Sequence, residues 1–387
     1  MRSATWSVLI VALGASGVAH AYPFMIREGY TECATCHTDP SGGTFLNAYG
    51  RAQSELLLSS SYGGGESEGN AGRLLGVVSQ PDWLRVGGWV RQGYLWNVVN
   101  GSVVDKRWLQ MRADLGADVK IGVFRAAAEL GYSSAGSTPL TQLAQITRSA
   151  QGPNLVGREM WAGVELFNGE GLLRAGRINL PFGLRNIEHT SFVRTATQTD
   201  INEDQQYGVA LAISRPSWRA EVMALVGNFS VHPDAYRERG GVGYVELTLA
   251  PTTAVGVSAL VARSDASLLT KLPTLRQAYG GFLRTSPWHP LVLQMEADVL
   301  LNKELNGGPQ DVGHAEWLQA DVEVVRGVHL IGAAEGMKTG ASDFQTGLWG
   351  GVWWFLFPHF DIRADAIQRW GQGPSNLTFL VQLNGYL

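Results

Sequence analysis

The sequence predicts an all-β fold, a transmembrane antiparallel β-barrel of roughly 16 strands, with a short α-helical segment in front of it. Three observations carry this expectation. From Pro81 onward, apolar and polar residues alternate with period two, the spacing of strands with one dry and one wet face. The connections between these segments alternate between short and long, as in outer-membrane barrels with tight turns at one end and larger loops at the other. Charged or polar residues interrupt every later apolar run, which leaves either a soluble periplasmic protein or a membrane crossed by strands rather than helices.

The N-terminus reads as a secretory signal. Arg2 supplies a positive start, Val8 to Val18 an apolar stretch, and Ala19-His20-Ala21 a small-x-small cleavage site. Residues 1–21 are therefore expected to be removed, leaving Tyr22 first. The apolar stretch is short for a membrane anchor, and Gly14 and Gly17 weaken it.

The chain has only two cysteines, Cys33 and Cys36, and His37 follows directly. In an oxidising compartment two cysteines can form a small disulfide. Cys33-Ala34-Thr35-Cys36-His37 is, however, the CxxCH pattern of c-type haem attachment. Two thiols one helical turn apart add to the two porphyrin vinyl groups, and the next histidine supplies an axial nitrogen. A zinc site would call for more Cys or His nearby, and a disulfide would have no use for His37. One covalent haem c is expected, held by Cys33, Cys36 and His37. Met25 is a candidate second axial ligand; a barrel histidine or an open iron are the alternatives.

Residues 22–60 are too few to fold readily without a cofactor. Thr44 to Leu58 reads as an amphipathic helix with Phe45, Tyr49, Ala52 and Leu56 on one face, packed on the porphyrin or on the barrel. Ser59 to Gly72 is rich in Gly and Ser, so residues 61–80 are assigned as a linker and 81–387 as the barrel.

Strands are expected near 83–97, 106–119, 123–134, 158–167, 172–180, 206–214, 218–228, 241–249, 254–263, 275–285, 290–301, 315–325, 328–338, 345–357, 359–369 and 376–386. In the second, Leu109, Met111, Ala113, Leu115, Ala117 and Val119 oppose Trp108, Gln110, Arg112, Asp114, Gly116 and Asp118. Even-to-odd connections such as Arg326-Gly327 and Pro358 are short. Odd-to-even ones such as Ala135 to Gly157 and Pro181 to Gln205 are long. Both termini are then expected in the periplasm. Of the 13 Trp, all but Trp6 lie beyond residue 80, which suits aromatic girdles.

Lumen charges such as Arg112, Asp114, Asp118, Arg363 and Asp365 are expected to pair across strands. In the loop Pro181 to Gln205, the oxygen ligands Asp200, Glu203 and Asp204, with Glu188 and His189, could hold a divalent metal or form a solvated acidic surface. His189 is a further candidate haem ligand. A net charge of −4 argues against nucleic acid as a partner. There is no phosphate-cradling loop, nucleophile elbow or HExxH zinc helix.

The stretch from Cys33 to Arg51, CATCH followed by Leu46-Asn47-Ala48-Tyr49-Gly50-Arg51, resembles the fused outer-membrane monohaem c-type cytochrome–porin family of iron-oxidising bacteria. Gly176-Arg177-Ile178-Asn179-Leu180-Pro181-Phe182-Gly183 is similar to a stretch recurring in such porins. The resemblance implies a haem in or under the pore that relays electrons across the outer membrane. The spacer Thr38-Asp39-Pro40-Ser41-Gly42-Gly43 departs from it, lacking the aromatic and second histidine of the iron oxidisers.

The leading expectation is an outer-membrane electron conduit between an extracellular donor, Fe(II) among the candidates, and a periplasmic electron carrier, a soluble cytochrome or copper protein. The alternatives are a solute porin with a haem-containing plug or sensor, and a surface haem peroxidase with an open iron site.

Overall fold

The computed structural model describes residues 23–40, 42, 46–60, 81, 83–134, 143–188, 190–268, 270–371 and 373–386. The signal, the linker, Phe45 and His189 lie outside the described residues. The strands are β1 (Leu84–Val99), β2 (Ser102–Ile121), β3 (Phe124–Ser133), β4 (Asn154–Leu166), β5 (Gly171–Ile178), β6 (Gln206–Arg215), β7 (Trp218–Leu225) and β8 (Arg239–Ala250). They continue as β9 (Thr253–Ser264), β10 (Thr274–Trp288), β11 (Leu291–Glu304), β12 (Gln310–Val325), β13 (Val328–Lys338), β14 (Gln345–Phe357), β15 (Phe360–Gly371) and β16 (Gly373–Tyr386). Each pairs antiparallel with its chain neighbours, and β16 closes on β1, from Trp89 opposite Tyr386 to Val99 opposite Asn376. Closure leaves no unpaired sheet edge, the condition for strands to sit in lipid.

The barrel is inside-out relative to a soluble protein. Leu115, Val222, Leu249 and Val257 point outward and are exposed, whereas Arg112, Asp114, Glu221, Glu246, Glu296 and Asp361 point into the lumen and are buried. The alternation in the sequence thus becomes an apolar exterior and an ionised interior, the two solvents an outer-membrane barrel must satisfy. The last strand keeps this pattern, with Phe379, Val381 and Leu383 outward. The tryptophans divide: Trp96, Trp108, Trp288 and Trp354 lie outside, but Trp161, Trp317, Trp349 and Trp353 are buried in the lumen. The girdle expectation holds for only part of the set.

Two local readings are corrected. The expected common face of Trp108, Gln110 and Arg112 is broken by a bulge at Met111: Arg91 opposes Arg112 while Gln92 opposes Gln110. The extra residue reverses the side-chain parity, so Trp108 faces outward and Arg112 inward. The first connection, expected to be long, is the two-residue hairpin Asn100-Gly101. Both residues have positive φ (51° and 78°), the pair of left-handed conformations a two-residue β-turn of this kind needs and Asn-Gly supplies most readily. The odd-to-even connections from β3 to β14 are the longer ones, so the rhythm holds around most of the barrel.

The lumen is filled from both ends. From the long-loop end, the β5–β6 connection turns inward and carries helix α2 (Phe192–Thr197). Phe192 and Val193 pack against Trp317, Ala333 and Trp349, and Arg194 pairs with Glu296. From the short-turn end enters the segment 23–60, which contains the short helix α1 (Ala48–Gln53). The helix expected over 44–58 is thus shorter and passes into a wider turn at Ser54–Leu58. Leu56, placed on its buried face by the periodicity, is exposed, while Leu58 is buried. The widening rotates the last turn off the 3.6-residue period.

Candidate functional site

The N-terminal segment lies inside the barrel wall. Phe24, Met25, Ile26, Tyr30, Cys36 and Leu58 form one apolar cluster with the lumen residues Val292, Ile331, Trp353 and Phe355. At the short-turn mouth, Ser60 N–H donates to the Phe355 carbonyl at 2.9 Å. Ser60 Oγ donates to the Arg326 carbonyl at 3.1 Å, and Arg326 donates to the Leu56 carbonyl. Arg27 pairs with Glu323 at 3.0 Å.

The CATCH residues occupy one tight turn. Cys36 N–H and His37 N–H both donate to the Cys33 carbonyl, at 3.1 and 2.9 Å, which brings Cys33, Cys36 and His37 within one turn. Both cysteines are free thiols, so the small-disulfide reading is not what this turn adopts. His37 and Cys36 are buried. Burial, with the Cys33 sulfur beside it, pushes the Cys36 thiol up. Met25 is fully buried in the same apolar cluster as Cys36.

Asn47 ties the following stretch back onto this turn. Its N–H donates to the Cys36 carbonyl at 2.7 Å, its side-chain amide to the Thr35 carbonyl at 2.8 Å, and its Oδ1 accepts from Gly50 N–H at 2.9 Å, capping α1. A Cβ on Gly50 would lie 2.5 Å from the Cys36 carbonyl oxygen, so the close approach requires glycine. The Leu-Asn-Ala-Tyr-Gly-Arg stretch singled out in the sequence is therefore a clamp on the CxxCH turn.

Arginines of the wall hold the turn in place, and sequence reasoning assigned them no role. Arg219 makes a two-pronged pair with Glu246 and donates from Nη1 to Cys33 Sγ at 2.7 Å. Arg284 donates to the Thr31 carbonyl and Arg125 to the Thr38 carbonyl at 3.2 Å. Arg174, fully buried, bridges Asp39 of the segment at 3.0 Å and Glu221 of the wall at 2.6 Å. Burial alone would raise the Asp39 carboxyl, but the Arg174 guanidinium, a hydrogen bond with Glu159 and the charge of Arg185 together hold it well below the usual carboxylate range. They lie on β3, β5, β7 and β10, and which of these four arginines meets the N-terminal segment depends on how that segment enters.

The residues fit a c-type haem in their donor set: two free thiols and a buried histidine on one turn, in apolar, aromatic surroundings.

The lumen charges pair as expected and also more locally. Arg125 pairs with Asp118 across β2 and β3, and Arg112 with Glu129 across the same strands but also with Asp114 on its own strand. Arg363 holds Asp365 of its own strand and Glu188 of the inward loop. The acidic loop does not assemble a metal site among the described residues. Asp204 accepts from Asp200 N–H at 2.9 Å, and Asp200 accepts from Asn202 N–H at 3.0 Å, so these carboxylates serve the turn itself, while Glu203 is exposed. The convergent group of possible ligands lies elsewhere: Glu28, His289 and Glu323, with ligand atoms within 4.8 Å of one another at the seam between segment and wall.

No family model and no curated protein matches the chain. Among solved structures, it is similar to the loop L8 deletion mutant of OmpT, an outer membrane protein of Vibrio cholerae. That match has a TM-score of 0.61 and 13% identity and covers 79% of this chain and 99% of the other. The outer membrane channel DcaP of Acinetobacter baumannii matches with TM-score 0.57 and 12% identity over 79% of this chain and 97% of that one. An anion-selective porin from Comamonas acidovorans matches with TM-score 0.56 and 13% identity over 79% and 99%. The shared feature is the fold of a porin-type barrel.

Proposed function

We propose that this chain is an outer-membrane barrel of the porin type whose lumen carries one haem c on Cys33 and Cys36, with His37 as an axial ligand. In this reading it belongs with the fused cytochrome–porins and passes electrons between an extracellular donor and a periplasmic carrier. The observation that supports it best is the seat of the CATCH turn inside the wall, fixed to lumen residues by the Arg174–Asp39 and Arg219–Cys33 contacts. Electrons cannot cross the lipid interior without a relay, and a redox group at this place would be shielded from lipid on all sides. The haem would supply one-electron chemistry, while the chain's own residues anchor the turn, orient the imidazole of His37 and fill the lumen. Haem-stained gels of outer-membrane fractions, a redox titration and stopped-flow reduction by Fe(II) test it. A colourless protein sinks the reading, and a haem that stays oxidised under a favourable potential removes Fe(II) as donor.

A second reading, a solute channel with the N-terminal segment as plug or sensor, is supported by the porin-type barrel itself and by a cavity of about 220 Å³ at the long-loop end. Asp204, Arg237, Glu238, Arg276 and Lys303 line it. Liposome swelling distinguishes the two: free passage of sugars or ions by the intact chain favours the channel, and a closed lumen favours the conduit.

A further inference from the structure

Arg185 stands on the loop that enters from the long-loop end. Its neighbours in sequence are packed inside the barrel: Leu184 with Tyr244 and Phe282, and Ile187 against the apolar cluster that joins lumen residues such as Trp353 to Met25 and Cys36. The backbone at Arg185 is left-handed, with φ 56°, which few residues other than glycine, Asn and Asp adopt readily. Just before it, Gly183 has φ 64°, and a Cβ there would strike Glu296 and Arg194. The loop is thus bent to bring Arg185 to one particular place.

At that place the guanidinium meets no hydrogen-bond acceptor among the described residues, and Nε, Nη1 and Nη2 are all shielded from solvent. The next side chain, Asn186, is also buried with both amide atoms unpartnered. The arginines around the CATCH turn contrast with this, since Arg219, Arg284, Arg174 and Arg125 each hold a carboxylate. Arg185 nevertheless stands near them: its neighbour Leu184 packs with Tyr244, and the Tyr244 ring lies under the guanidinium of Arg219, 5.3 Å from the ring centroid, the same group that donates to Cys33 Sγ. A shielded guanidinium without an acceptor is a costly arrangement, and its planar fork is shaped for a carboxylate.

We propose that Arg185 binds a carboxylate of the porphyrin attached at Cys33 and Cys36, so that the inward loop and the N-terminal segment would both hold the haem. This rests on the haem reading above. The other source of the same chemistry is a free carboxylate solute in the lumen.

The test uses the full-length, haem-loaded chain with Arg185→Gln and Arg185→Lys. Haem content is measured first, as the pyridine haemochrome. If wild-type protein carries no haem, the underlying reading fails before any variant is compared, and this proposal falls with it. With haem present, Arg185→Gln is expected to retain the covalent haem but to shift the reduction equilibrium about tenfold toward the oxidised form. That corresponds to about 59 mV for a one-electron couple, because a buried anion left unpaired favours the more positive iron. Arg185→Lys should recover part of the shift. A second measurement is thermal stability: Arg185→Gln should lower the melting temperature of the haem-loaded chain and raise that of Cys33→Ser/Cys36→Ser, in which no porphyrin can attach. An unchanged potential, or the same sign of stability change in both backgrounds, overturns the proposal. So does added acetate that stabilises wild type and the Cys-free chain equally, which would assign the carboxylate to a solute.

Discussion

The Asn47 N–H donates to the Cys36 carbonyl across 2.7 Å, so the residue that caps helix α1 also fixes the CxxCH turn. Replacing Asn47 with Ala removes the bond from its side chain to Thr35 and the cap on Gly50. Loss of such a cap costs about 1 kcal/mol. Asn47→Ala is expected to lower the yield of haem-stained protein and to speed protease cleavage within 23–60 while leaving the barrel heat-resistant on gels. Equal haem yield and equal cleavage would show that the clamp is dispensable.

Arg174 bridges Asp39 and Glu221 out of contact with water. Removing one partner of a buried ion pair costs about 3–5 kcal/mol, and here the cost falls on the junction between N-terminal segment and wall. Arg174→Gln should therefore raise ion conductance in planar bilayers, and deletion of 23–60 should raise it further. If conductance after the deletion matches that of the intact chain, the segment does not close the lumen.

Much of this was legible in the residues. The strand at 328–338 lies where alternation put it, and that at 345–357 likewise, because each strand faces two solvents and must alternate. The bulge at Met111 was hidden, since inserting one residue reverses parity without leaving a compositional mark. The CATCH turn was visible as a motif, but its seat inside the barrel was not. That seat depends on contacts such as Asp39 to Arg174, 135 residues apart in sequence, which no local pattern encodes. Asp200 and Asp204, open in the sequence to metal ligation or a solvated surface, instead accept bonds within their own turn, a use that loop composition does not distinguish from the other two.

Burial, with the Asp200 carboxylate next to it, raises the Asp204 carboxyl to about 8 from an ordinary value of 3.8. The folded loop therefore binds the proton more tightly than the unfolded chain does. This contribution to stability is complete below about pH 3.8 and is lost as the pH rises through 8. Hydrogen exchange of amides 199–206, corrected for the intrinsic pH dependence, should show increasing opening from pH 5 to 9. Asp204→Asn should flatten that trend; an unaltered trend would assign it to another group.

Leu115 points outward from the middle of β2 and is 63% exposed, an arrangement that suits hydrocarbon rather than water. An arginine on the lipid face of a barrel costs about 2–4 kcal/mol near the bilayer midplane. Leu115→Arg is expected to destabilise the folded protein in lipid by that order in urea titrations. Gly332→Ala, where a Cβ meets nothing within 4 Å, should stay within about 0.5 kcal/mol of wild type. A tolerated Leu115→Arg would argue against a hydrocarbon environment for this face.

The N-terminal segment leaves the lumen at Ser60, beside the β12–β13 turn, while β1 begins at Leu84. Four strand spacings of about 4.8 Å separate those points around the rim, whereas the 23 residues between Ser60 and Leu84 can reach about 75 Å when fully drawn out. That number of residues is more than the gap requires. A segment that comes out of the barrel stays attached to it through the chain. Opening and reclosing would then be events within one molecule, with an equilibrium that does not change on dilution.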